Sequence, residues 1–373
     1  MKMIVINGAG IAGLTLANAL QLKKIDYLLI EKAEHFSVVG AGILLQNNGL
    51  AILDALGLTQ FLDGFDVSQM CLGFKNTINC MQADRAGLLC KVVDRTHLQS
   101  LLLKNINSKK IKLGKTITQK EVSSHGVEVT LNDGLVIKGD YLIDAAGINS
   151  NLVSEPELFD THLWCWRSIV TLKAPIKSSG EYWFGKQRVG FAPISKTQAY
   201  LFHVIKLNRN ETPQDFPIEL RHAWIKAKQS SIKDIDKLSF DNARWLSHSL
   251  QDRKIQWGQG RLIAIGDAAH AMTPNLGQGA VLSMEDAMQL ALILENTKPS
   301  SLDVAKSLKE SRHKRIKSTH KLSRVFGNIA HNENGIINII KQVVFKVMPM
   351  QMGVKNQVKW MNEFNITLRG FKK

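Results

Sequence analysis

Four cysteines in 373 residues, Cys71, Cys80, Cys90 and Cys165, form no C-x-x-C pair and have no histidines at ligand spacing, so no metal site is expected. They read as reduced structural thiols. Long apolar runs are also lacking. The greasiest stretch, 335–348, is broken by Asn338, Lys341, Gln342 and Lys346, whereas a membrane span needs roughly 20 apolar residues. The opening MKMIVINGAG enters strand-like sequence without a charged leader or cleavage site, so a cytoplasmic protein without a transmembrane segment is expected. No internal repeat or low-complexity tract occurs, and 45% hydrophobic residues suffice for a substantial core.

Acid is scarce toward the C-terminus. Residues 298–373 hold 16 Lys/Arg against 4 Asp/Glu, within a chain whose net charge is +16. Such an excess can serve nucleic acid or an anionic membrane surface. No zinc finger, RNA-recognition or helix-turn-helix pattern accompanies it, and the basic residues of ESRHKRIKSTHKLSR surround a helix without interleaved aromatics. A solvated helix face is expected, and no nucleic-acid partner. The stripe Ile336, Ile337, Ile340, Val343, Val344 and Val347 reads as a helix packed on the body of the protein, with a peripheral membrane contact as the sharper alternative.

What is present begins at residue 3. Met3 to Asn7 reads as a buried strand, Ala12 to Leu22 as a helix and Tyr27 to Glu31 as a second strand, a βαβ unit. GAGILLQNNGLAILDALGL reads as a glycine-rich loop and a helix ending near Gly57, and a further helix starts near Arg95. Alternation in Val127, Val129 and Leu131, a turn at Asn132-Asp133-Gly134, alternation again at Leu135 and Ile137, and the apolar strand Tyr141 to Ala145 describe a β-meander. Trp164, Trp166, Trp183, Trp224, Trp245 and Trp257 mark a separate sheet-containing region, and helical sequence returns after the strand Leu262 to Ile265.

Gly8-Ala9-Gly10-Ile11-Ala12-Gly13 sits between the first strand and the first helix. Gly8 permits the tight turn, Gly10 lets backbone approach a pyrophosphate, and Gly13 lets helix and strand pack closely; the helix N-terminus then faces the phosphates. Glu31, 18 residues beyond Gly13, stands where an acid accepts from ribose hydroxyls, and Lys32 beside it touches the same ribose or faces water. The second informative stretch is GRLIAIGDAAHAMTPNLGQGAVLSMEDA. A helix starting near Gly279 would direct its N-terminus at an anionic ring.

The order and spacing of these segments, from residue 3 to about 325, resembles the flavin monooxygenases that include p-hydroxybenzoate hydroxylase, salicylate hydroxylase and zeaxanthin epoxidase, with GDAAHAMTPNLGQG as the most specific part. The resemblance implies an α/β fold: a Rossmann-like FAD-binding domain from residues 1–70, 91–155 and 256–325, an interleaved mixed-sheet substrate domain from 71–90 and 156–255, and a C-terminal helical segment over 326–373. It implies that Gly266-Asp267 holds the ribityl chain of FAD, and that Pro274, Gly277, Gln278, Gly279 and Ala280 flank the isoalloxazine. Ala41, Gly42 and Ile43 match the loop beside the ring. Arg95 matches an arginine that reaches the pyrophosphate, a solvated helix start being the alternative.

The implied reaction passes one oxygen atom of O2, through a flavin C4a-hydroperoxide, to a small aromatic or polyene substrate, with NAD(P)H as transient reductant. Pro274, Arg167, Tyr182, His203 and His270 are the candidates for lining the pocket. A strand histidine bonded to a neighbour is the plainer reading of His203, and His270 reads as orienting the Asp267 loop. One departure matters. Where the family reads A-D-G-x-x-S-x-x-R, this chain has Ala145-Ala146-Gly147-Ile148-Asn149-Ser150-Asn151-Leu152-Val153, so Ala146 and Val153 replace the two charged groups associated with the nicotinamide donor. Gly147 is retained for FAD. Reduction by a separate reductase or by free reduced flavin is therefore the alternative. No second G-x-G-x-x-G follows a strand, so a nicotinamide donor has no resident domain. Oligomeric state is not legible.

Overall fold

The computed structural model describes residues 2–36, 42–75, 77–208, 232–241, 243–298, 301–302, 304–347 and 350–371, with residues 222, 225 and 228. Ala41 and Trp224 lie outside the described residues. A six-stranded sheet runs in the order β19 (Gly258–Gln259), β20 (Leu262–Ala264), β12 (Tyr141–Asp144), β1 (Met3–Asn7), β2 (Asp26–Ile30), β8 (Ile111–Lys112), and all pairs but β19·β20 are parallel. β1 is apolar without alternation up to Asn7 because both of its faces are covered. Ile4 and Ile6 join the main helical core, while Val5, Ile30, Leu142 and Leu262 pack against Val127, Val129 and Leu131. The latter come from a three-stranded meander, β9 (Ile117–Val122), β10 (Val127–Leu131) and β11 (Val136–Gly139).

An eight-stranded sheet forms the second body. It runs β17 (Leu238–Ser239), β13 (Leu158–Leu172), β16 (Gln198–Lys206), β15 (Gln187–Pro193), β14 (Ser178–Phe184), β5 (Gln69–Phe74), β6 (Thr77–Gln82), with β18 (Leu246–Arg253) also paired to β13. β13 carries a register shift between Asp160 and Leu163, with His162 at φ 55°. One face of this sheet packs Val170, Tyr182, Val189, Phe191 and Leu201 against Ile225, Ile232 and Ile235. The other face carries Arg167, Ile169, Arg188, Gly190, Ala192, Tyr200 and Phe202, since cross-strand partners share a face. A small sheet, β3 (Gly42–Gln46), β7 (Cys90–Asp94) and β4 (Phe65–Asp66), stands between the two bodies in sequence.

The helices are α1 (Ile11–Leu22), α2 (Asn47–Ala55), α3 (Arg95–Leu103), α4 (Asp267–His270), α5 (Gly279–Asn296), α6 (Val304–Ala330), α7 (Gly335–Val347), α8 (Met350–Asn362) and α9 (Asn365–Leu368). α1 packs along α5, so the two glycine-opened helices share one side of the parallel sheet. α6 continues without a break through residue 326, where the sequence suggested a boundary.

Three expectations change. GAGILL was expected to be a loop, but Gly42–Gln46 is a strand, because antiparallel pairing with β7 satisfies its backbone. Cys71 and Cys80 are not reduced thiols: they face each other across β5 and β6 and form a disulfide, with Cys90 and Cys165 buried and outside it. Most of the described aliphatic stripe of α7 does not pack on the body; Ile337 is half-buried and the Val347 side chain lies outside the described residues. Ile336, Ile340, Val343 and Val344 are exposed, and Lys341 is turned inward instead.

Candidate active site

Parallel strands β1, β12 and β20 end level with one another, at Asn7, Asp144 and Ala264, and the loops that leave them meet at one edge. Ligands of open α/β sheets bind at such carboxyl ends. Gly8 has φ 106°, and a Cβ there would lie 2.6 Å from the Ala145 carbonyl oxygen. A Cβ on Gly13 would lie 1.9 Å from Gly8 O, so only glycine lets α1 start this close to its strand. Gly10 has open space where its Cβ would be, and no side chain caps the helix. The α1 N-terminus is thus an uncapped anion site facing a gap.

Glu31 follows β2 directly, its Oε2 accepting from Ala9 N at 2.7 Å and its Oε1 from Ala33 N at 2.9 Å. This fixes the carboxylate beside the glycine loop, with Lys32 exposed next to it. Arg95 opens α3, whose start is capped by Asp94 accepting from Thr96 N at 2.7 Å. Gln99, one turn on, donates to Ala9 O at 3.2 Å and ties α3 to the loop.

Gly266 has φ 61°, and a Cβ on it would meet Ala12 Cβ at 3.0 Å and Ser283 Oγ at 2.8 Å. The turn after β20 therefore rests on the first turn of α1. Asp267 is the exposed residue of an otherwise buried run from Arg261 to Ala271. The charges of His270 and Arg95 act on its carboxylate. Ala12 of α1 and Ser283 of α5 thus both stand against the Gly266 turn.

Beyond Asp267 the chain turns at Pro274–Leu276, takes Gly277 at φ 63°, and enters α5 at Gly279 with no side-chain cap. Open space surrounds the Cβ positions of Gly279 and Gly147. Buried polar groups set this loop. Gln278 donates to Gln46, and Asn48 donates to Gln278 at 3.1 Å and to Glu285 at 2.6 Å. Arg188 donates to Asn275, whose Nδ2 in turn donates to Ser323 O at 2.9 Å.

Beneath the loop, Arg312 pairs with Glu285 at 2.7 Å and Asp286 at 2.8 Å, all three buried. Asp286 also accepts from Gly266 N at 3.1 Å and lies 2.5 Å from His270 Nε2. Burial alone would raise the Asp286 carboxyl, but His270 and Arg312 together hold it below the usual carboxylate value. His270 thus braces the Asp267 turn. Sequence reasoning missed Asn48, Glu285, Asp286, Arg312 and Arg315. The signal was an acidic pair inside the apolar α5 and two arginines three apart on α6.

The two bodies close on each other beside this loop. A Cβ on Gly42 would lie 2.6 Å from Tyr200 Cβ and Cγ, so β3 touches the sheet face that carries Tyr200. Arg167 is on that face, and its charge acts on the Tyr200 phenol. Its Nε is buried without a partner among the described residues. Burial raises the Tyr200 phenol well above its ordinary value. His248 is held down to about 4 by burial and next by the Arg167 charge, so it is neutral.

Two pocket candidates fall elsewhere. His203 lies on the opposite face, buried against Trp166 and 2.8 Å from Gln187, and Tyr182 faces the same way, with Lys233 N donating to its hydroxyl at 3.2 Å. Strand alternation separates them from Arg167. The altered loop after β12 has its own support. Asp144 is buried against Ser150 Oγ at 2.7 Å, and Arg253, fully buried, donates to Ile148 O at 2.7 Å.

Glycines that a Cβ would block, an uncapped helix facing open space, a fixed acid and a second glycine turn resting on the same helix fit a flavin dinucleotide and define a flavoprotein oxidoreductase. The FAD binding domain family matches residues 1–319, and the chain belongs to that family as an FAD-dependent monooxygenase. It is 33% identical over 309 residues to 2-heptyl-3-hydroxy-4(1H)-quinolone synthase of Pseudomonas aeruginosa, covering 77% of this chain and 79% of that protein. It is 29% identical over 334 residues to the FAD-dependent urate hydroxylase of Klebsiella pneumoniae, covering 83% and 84%. The crystal structure of Klebsiella pneumoniae HpxO with FAD and uric acid shares its fold, with a TM-score of 0.83 at 22% identity over 96% of each chain. No described helix is long and apolar enough to cross a membrane.

Proposed function

We propose that this monooxygenase inserts one oxygen atom of O2 into a small, flat aromatic or heteroaromatic substrate held between β3 and the Arg167–Tyr200 face of the large sheet. The observation that carries this reading is the close approach of Gly42 and Tyr200 next to the Pro274–Gly279 loop, beside a face of Phe202, Ala192 and Tyr200 that also carries the guanidinium groups of Arg167 and Arg188. Quinolone and urate, named for two relatives, are flat rings of the kind such a face suits. FAD, when bound and reduced, supplies the oxygen-transfer chemistry with O2.

The protein's own groups do the rest. Gly8, Gly10, Gly13 and Arg95 fix the diphosphate, Glu31 and Asp267 the hydroxyls, and the uncapped α5 start offers N–H groups to negative charge on the ring. Pro274 and Leu276 exclude water beside it. Tyr200 offers its Oη hydrogen to a substrate oxygen, with the Arg167 charge beside it. A phenol held this far above its ordinary value keeps that proton throughout neutral pH.

NAD(P)H is proposed as the electron source. The competing source, a separate reductase, is favoured by Ala146 and Val153 and by the burial of Arg253, the one guanidinium bonded to the loop after β12 among the described residues. Anaerobic mixing of the FAD-loaded protein with NADH or NADPH tests this directly. Bleaching accelerated by a 4(1H)-quinolone or uric acid supports the proposal. An unbleached flavin that a reductase then reduces supports the second reading. Cytoplasmic residence, proposed alongside, requires the Cys71–Cys80 bridge to survive cytosolic thiols.

A further inference from the structure

Helix α7 is amphipathic, yet its polar edge meets the body. Lys341 is 3% exposed, donates to Asn332 O at 2.8 Å, and lies 5.2 Å from the Phe74 ring centroid and 5.9 Å from that of Trp183. The outer face carries Ile336, Ile339, Ile340, Val343 and Val344, exposed by 71%, 64%, 56%, 54% and 42%. These positions follow i, i+3, i+4, i+7 and i+8, one continuous ridge of aliphatic carbon in water. Exposed leucines or valines scattered singly are ordinary, whereas a ridge of five marks a contact surface.

The preceding helix adds charge. Along α6, exposed Lys314, Lys317 and Lys321 run at helical spacing into exposed Leu322, Val325 and Ile329. No acidic residue lies between Glu310 and Glu333, nor between Glu333 and Glu363. The outer ridges of α6 and α7 are therefore basic and aliphatic, with Glu333, paired to Lys186, as the acid in the turn between them.

We infer that α7 and the outer ridge of α6 dock the protein on an anionic lipid bilayer, with the aliphatic ridge of α7 entering the interface and the α6 lysines meeting the head groups. A second copy of the chain is a poorer occupant, because a two-fold contact would set lysine ridges near each other without acids to balance them. A bilayer supplies hydrocarbon and negative charge together. The contact is peripheral, since no described helix can span. It stands independently of the substrate assigned above.

The test is sedimentation of the FAD-loaded protein with vesicles of phosphatidylcholine alone or mixed with phosphatidylglycerol. The protein is expected to pellet with the mixed vesicles, to be released by high salt, and to stay largely in solution with phosphatidylcholine. Ile340→Ser/Val343→Ser should lower the partition coefficient by on the order of tenfold or more, as each aliphatic side chain leaves the interface. Lys317→Gln/Lys321→Gln should weaken binding at low salt only. Unchanged flavin absorbance and melting temperature show that both variants are folded. Failure to pellet with any vesicle, or pelleting that the α7 variant leaves unchanged, overturns the proposal. So does a dimer in analytical ultracentrifugation that the α7 variant dissociates without any vesicle binding.

Discussion

Arg312→Met removes the cation that two buried carboxylates share and keeps most of its volume. Glu285 retains its two-pronged contact with Arg315, at 2.8 Å on each oxygen, but Asp286 is left with His270 and the Gly266 amide. Deleting one partner of a buried ion pair costs roughly 3–5 kcal/mol, because the remaining charge is neither solvated nor balanced. With an unfolding entropy of about 2.1 cal/mol/K per residue, a chain of this length loses roughly 4–6 °C in melting temperature.

The pH dependence has a definite sign. In the wild type Asp286 is held below its unfolded value, so its contribution is complete at pH 7 and erodes only in acid, below about pH 4. Without Arg312, burial meets less opposition and the folded value of Asp286 rises. The variant then gains stability as the pH falls toward that raised value, and its deficit narrows from pH 7 to pH 5. Scanning calorimetry of both proteins at the two pH values reads this out. A deficit under about 1 kcal/mol at pH 7, or one that widens at pH 5, would refute the reasoning.

Gly13→Ala should yield folded protein without FAD, because its Cβ would meet Gly8 O at 1.9 Å and push α1 off the phosphate position; flavin released on denaturation measures it. Arg95→Ala and Asp267→Ala should each weaken FAD by roughly 10- to 150-fold, the range of one charge-assisted hydrogen bond, with the melting temperature of the flavin-free protein unchanged. Thiol titration in denaturant without reductant should count two reactive groups, Cys90 and Cys165, and four after reduction. In the native protein Cys90 should stay unreactive, since burial pushes its thiol up to about 12.

The glycine loop, Glu31 and Gly266-Asp267 were legible in sequence because each depends on a local backbone demand: a missing Cβ, a strand end, a turn with positive φ. The doubly covered β1 showed itself by its unbroken apolar run. Other features depend on partners far away in the chain. Tyr200 meets Gly42 only once the large sheet closes on β3, and Arg188 reaches Asn275 across 87 positions. His203 was drawn toward the site by its chemistry, whereas strand parity, which needs the register of β13 and β16, turns it away. The inward Lys341 reverses the usual sense of a helical stripe, since periodicity gives a face but not its direction.

Oxidation of a 4(1H)-quinolone, or of uric acid, in isotopically heavy dioxygen with normal water tests the account most directly. One heavy oxygen atom per molecule of product, with electrons consumed in step, is the result predicted. Product oxygen drawn from water, or dioxygen converted wholly to hydrogen peroxide with every ring offered, would contradict it.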